Sequence, residues 1–77
     1  MIIKNLFTKF EELEAITESI DIEENEEAWD KAYTEEFNAH KALAEEIMKL
    51  INCDRGTANK MIATKRNELR NLIERIA

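Results

Sequence analysis

Along almost the whole chain the apolar residues recur at spacings of three and four, and no proline interrupts them. That spacing is the repeat of an α-helix, which brings positions i, i+3, i+4 and i+7 onto one face. Strands need an alternation of two, and no alternating run of β-branched residues occurs. Gly56 is the only glycine, so helices are left to end at polar clusters. The pattern predicts an all-α protein, a three-helix antiparallel bundle with a long central helix, forming a single domain over residues 1–77. Its helices are expected at about 3–20, 25–51 and 55–76.

In the first segment Ile3, Leu6, Phe7, Phe10, Leu13, Ile16 and Ile20 fall on one stripe. The stretch Ser19 to Asn25 interrupts it, and either Asp21 or Asn25 is suited to cap the next helix. Trp29, Tyr33, Phe37, His40, Ala44, Ile47 and Ile51 then form a heptad-like seam, widened by Ala32, Leu43 and Leu50. A helix of this length reaches about 39 Å. The run Asn52 to Thr57 is the second break, with Asn52 able to take a left-handed conformation and Asp54 placed to cap the third helix. The third segment carries Ala58, Met61, Ile62, Leu69, Leu72, Ile73 and Ile76; Lys65 interrupts its stripe, and its aliphatic stem is expected to lie along the seam with the ammonium in water.

A chain of 77 residues buries a small core, worth roughly 3–5 kcal/mol of net stability, and small domains commonly add a disulfide, a metal or a partner. Cys53 is the only cysteine and His40 the only histidine, so one chain makes neither a disulfide nor a four-ligand zinc site. Self-association is the remaining route, and the seam of the long helix suggests a homodimer. No apolar run approaches the ~20 residues needed to span a bilayer. The start Met1-Ile2-Ile3-Lys4 lacks the order of a secretory signal. With a free thiol, the expected compartment is the cytoplasm, or that of a host cell if a phage encodes the protein.

The net charge of −6 is unevenly divided: residues 1–50 hold 5 basic and 14 acidic side chains, residues 51–77 hold 6 basic and 3 acidic. An acidic total opposes nonspecific nucleic-acid binding, while the basic final segment keeps a local version open. The acidic tract contains Glu23, Glu24, Glu26, Glu27 and Asp30 as candidate partner-binding residues. Without glycine it does not form a calcium loop; a ladder of carboxylates could instead mimic nucleic-acid phosphates toward a basic protein groove, as small acidic phage inhibitors do. Trp29 and Tyr33 are candidate aromatic anchors for a partner.

The sequence offers few candidates for a nucleophile beside a base, or for two carboxylates pushed to different acidities, either of which catalysis would need in a pocket. Cys53 reads as a small buried plug at the turn. His40, four residues after Glu36, reads as a half-buried seam histidine, and the Glu-x-x-His spacing of bundle metal sites fails because position 37 is Phe. The expectation is a protein without enzymatic activity, cofactor, metal or small-molecule substrate.

Residues 44–62, Ala-Glu-Glu-Ile-Met-Lys-Leu-Ile-Asn-Cys-Asp-Arg-Gly-Thr-Ala-Asn-Lys-Met-Ile, resemble a helix-turn-helix DNA-binding motif. In this resemblance Ile47 and Ile51 are first-helix core, Asn52 the turn residue, Cys53 the apolar turn position and Asp54 the cap. It implies that Arg55, Asn59 and Lys60 face the major groove, with Lys65 and Arg66 near phosphates. The sequence thus supports three functional expectations, led by a helical protein-interaction module that self-associates. The others are a helix-turn-helix regulator and an acidic inhibitor of a host protein.

Overall fold

The computed structural model describes residues 2–76; Met1 and Ala77, the ends of the expected domain, lie outside the described residues. The all-α expectation is borne out: the described residues form helices and turns without a strand. There are four helices among them rather than three, α1 (Ile2–Ser19), α2 (Glu26–Ile51), α3 (Arg55–Thr64) and α4 (Arg66–Ile76). None is long and apolar enough to cross a membrane.

The polar clusters end the helices as their chemistry requires. Asn25 caps α2, its side chain accepting the Ala28 N–H at 3.1 Å. Asp21 serves the preceding turn instead, its carboxylate accepting the Glu23 N–H at 2.9 Å. Asn52 ends α2 in the left-handed conformation, φ 52°, ψ 56°, with its N–H donating to the Met48 carbonyl. Asp54 then caps α3 by accepting the Thr57 N–H at 2.7 Å. Cys53 is half-buried between them and packs against the core.

The extra break lies at Lys65, where ψ of 41° departs from the helical value near −42°. In one continuous helix Lys65 would stand between Ile62 and Leu69 in the middle of the apolar stripe, and carrying an ammonium there is costly. The helix ends there instead, and Lys65 is exposed. Arg66 limits the cost of the bend: its Nε donates at 2.8 Å to the Ile62 carbonyl, the acceptor its own backbone N–H would reach in an unbroken helix.

Ile3, Phe7 and Phe10 of α1, Leu43, Ala44 and Ile47 of α2, Ala58 and Ile62 of α3, and Leu69 and Ile73 of α4 make one core. Small Ala44 and Ala58 are fully buried, which allows α3 to approach α2 closely. The helices adjoin in a ring: α1 against α2, α2 against α3, α3 against α4, and α4 against α1. The molecule is 41 × 22 × 20 Å, its long axis matching the length of α2.

The buried faces are narrower than the apolar stripes. In α1 Thr17 takes a core position and bonds the Leu13 carbonyl at 2.9 Å, while Ile16 is exposed. In α2 the seam is closed at Ala44 and Ile47, but Tyr33, Phe37, Leu50 and Ile51 are exposed.

Candidate functional site

The lengths of the helices create the site. The junction of α3 and α4 comes level with Glu14 of α1 and His40 of α2: Arg66 bonds Glu14, its guanidinium lies 5.1 Å over the Phe10 ring, and that ring meets His40 edge-on at 5.4 Å. From there α4 returns along α1, bringing Arg70 over Phe7 and Ile76 beside Ile2 and Leu50. Toward the turn between α1 and α2 burial then falls away. Thr17 and Ala32 are buried, and residues 21–27 are all exposed.

A vacant groove results in the half of the α1–α2 pair beyond this junction. On α2, Phe37 and Tyr33 lie two and three turns before Ala44 on the same helical face. At Ala44 that face is closed within the core shared with α3; at Tyr33 and Phe37 it is open, with 48% and 56% of each residue exposed. Trp29, half-buried, stacks on Tyr33 at 5.0 Å with the rings 10° from parallel. Phe10, Tyr33, Glu36, Phe37 and His40 line a depression of about 250 Å³. A second, of about 410 Å³, shares Phe37 and His40 and continues past Lys41 to Arg55 and Asn59 of α3.

The predicted acidic residues gather around this end. Glu23 and Glu24 lie in the turn, Glu26 and Glu27 in the first turn of α2, and Asp30 one turn further; all five are exposed. Glu26 and Glu27 there face the positive pole of the helix dipole. Residues 15–36 carry nine acidic side chains against one lysine, so the two candidate groups, carboxylates and aromatic rings, occupy the same half of the molecule.

The residues of the helix-turn-helix resemblance separate into two sets. Arg55, Asn59 and Lys60 are exposed on α3, with Arg55 3.5 Å from Glu45. Lys65 is exposed at the bend. Arg66 is turned inward: it holds both carboxylate oxygens of Glu14, at 2.9 and 3.2 Å, and reaches Glu11 at 3.4 Å. Arg70 meets Glu11 at 2.6 Å. The sequence carries only a faint sign of this network: Phe7, Glu11 and Glu14 share a face of α1, and Arg66 and Arg70 are one turn apart.

Among the described residues the surroundings shift four groups from their ordinary values. The hydrogen bonds from Arg66 hold the Glu14 carboxyl low, and Glu14 in turn raises Arg66. Burial, reinforced by the nearby Arg66 charge, lowers His40 and favours its neutral form. The Thr57 N–H lowers Asp54. Among the described residues no group of three or more His, Cys, Asp and Glu side chains is placed to hold a metal ion.

No family model matches the chain, and no curated protein or solved structure is significantly similar to it.

Proposed function

We propose that this protein is a non-enzymatic docking module that binds another protein in the vacant half of the α1–α2 groove. One observation carries the reading: the face of α2 closed at Ala44 continues as Trp29, Tyr33 and Phe37, and the last two are about half exposed. Leaving two large rings in water gives up the stabilisation that burial would bring, about 25 cal/mol per Å². Paired rings in a groove are the usual anchors of a protein interface.

A photoreactive amino acid placed at Tyr33 or Phe37 should give a protein adduct in cells, and the same group at exposed Thr8 on α1 should not. Equal adduct yields at the three positions would remove the reading.

A second reading, contact of α3 with duplex DNA, is favoured by the exposure of Arg55, Asn59 and Lys60 on a stretch with no carboxylate from Arg55 to Asn67. It requires salt-sensitive binding that weakens when Arg55 and Lys60 become Ala. The inward turn of Arg66 and the pairing of Arg55 with Glu45 both reduce the positive charge available for it.

A further inference from the structure

The filled half of the groove shows which chemistry suits the vacant half. Where α4 lies on α1, two of the contacts combine an aromatic ring, a carboxylate and an arginine. Arg66 covers Phe10 and grips Glu14; Arg70 lies 5.3 Å over Phe7 and grips Glu11. An arginine suits such a place because its flat, weakly hydrated guanidinium stacks on a ring while its edge donates two parallel bonds to a carboxylate.

The vacant half repeats the ring and the carboxylate without the arginine. Glu18 follows Phe7, Glu11 and Glu14 along the same row of α1, one turn beyond Glu14. Glu36 lines the depression with Tyr33 and Phe37, and Asp30 lies one turn before Tyr33. Among the described residues Glu18, Asp30 and Glu36 take part in no ion pair.

We propose that the vacant groove receives an arginine-bearing helix of another protein. Its guanidinium groups lie over Tyr33 and Phe37 and pair with Glu18, Asp30 and Glu36, as Arg66 and Arg70 do over Phe10 and Phe7. This inference rests on the docking reading above and adds the chemistry of the occupant. A helix is the expected form because it prolongs the layer that α3 and α4 begin. A second copy is the poorer occupant: pairing this face with itself would bring Glu18, Asp30 and Glu36 against the same carboxylates of the other copy across a desolvated interface.

The test is a displayed library of amphipathic helices whose charged positions vary among Arg, Lys, Glu and Asp, selected on the intact protein. Enrichment of Arg is expected. The selected helix, as a synthetic peptide, should bind at least about tenfold more weakly to the variant Tyr33→Ser with Phe37→Ser. That variant keeps every charge, so attraction by the acidic surface alone would leave its affinity unchanged. Circular dichroism establishes that the variant is folded, and Glu18→Gln with Glu36→Gln provides a second comparison in which weaker binding is also required.

Enrichment of acidic or uncharged helices that still need Tyr33 and Phe37 would overturn the inference and leave the docking reading standing. Enriched helices insensitive to Tyr33 and Phe37 would overturn both. If no helix is enriched and the wild-type chain sediments as a dimer that the double serine variant splits, the occupant is a second copy and the arginine-helix inference falls. No enrichment on a monomeric chain would remove both.

Discussion

Arg66 of α4 holds Glu14 of α1 through two parallel hydrogen bonds, 2.9 and 3.2 Å long, across 52 positions of sequence. The same guanidinium covers Phe10, and its Nε closes the end of α3 on the Ile62 carbonyl. One side chain thereby connects the bend of the chain to the face of α1. Because Arg66 is only about a quarter exposed, solvent screens its pair less than it screens an ordinary surface ion pair. Arg66→Ala should lower the unfolding free energy by about 2 kcal/mol, since it strands a half-buried carboxylate and a helix-end carbonyl together. Arg66→Lys should recover little of this, lacking the planar fork. Urea unfolding measures both, and near-native stability of Arg66→Ala would show that the network is ornamental.

Acid should destabilise the fold in two steps. His40 is lowered in the folded chain, so below about pH 6.5 the unfolded chain takes up the proton first and stability falls until the folded histidine also titrates. Glu14 is lowered as well; its contribution is complete above the ordinary glutamate value, about 4.3, and is lost as pH falls through the folded value. Urea midpoints compared at about pH 7.5 and about pH 5.5 isolate the first step. His40→Gln should flatten that step and leave most of the acid limb, while Glu14→Gln should reduce the acid limb and keep the His40 step, somewhat enlarged because a carboxylate that raises His40 is gone. A midpoint that rises between pH 7.5 and 5.5 in the wild type would contradict the sign given to His40.

Much of the fold was legible in the sequence, and the reason is local. Caps and turns depend on a few neighbouring residues, so Asn25, Asn52 and Asp54 could be assigned from type and position. The bend at Lys65 was not legible, because periodicity shows a lysine in the stripe without showing whether its stem or the helix gives way. Arg66 looked like a free cation near DNA phosphates because its partner Glu14 is remote in sequence. The seam likewise identified Tyr33 and Phe37 as sharing a face with Ala44. It could not show their exposure, which depends on how far α3 extends and where α4 turns back.

Two backbone positions should respond in opposite senses to added side chains. Gly56 has ordinary helical geometry, and a Cβ there would meet Asp54 Oδ1 at 3.7 Å, an unstrained contact. Gly56→Ala should therefore stabilise the protein by about 0.5–1 kcal/mol, by restricting the unfolded chain and favouring α3. Asn52 has a positive φ, so Asn52→Val should cost about 1–2 kcal/mol whereas Asn52→Gly should be neutral or stabilising. Thermal melts of the three variants check both assignments. A destabilising Gly56→Ala would mean that α3 is crowded at its first turn.

Tryptophan quenching tests the electrostatic setting of the groove without any partner. Trp29 is the only tryptophan, it is half-buried against Tyr33, and residues 15–36 around it carry nine acidic side chains and one lysine. A negative field of this kind concentrates cations and excludes anions over roughly a Debye length, about 10 Å at 0.1 M salt. With rates normalised to free tryptophan, caesium should quench Trp29 at least about twofold better than iodide at low ionic strength, and neutral acrylamide should fall between them. Raising the salt toward 1 M shortens the screening length to about 3 Å and should close the gap. Charge-neutralising Glu26 and Asp30 should narrow it at low salt, while Lys60→Gln on α3 should leave it unchanged. Equal quenching by the two ions at low salt would mean that the indole lies outside the acidic field, removing the charge complementarity on which recognition of an arginine-bearing helix depends.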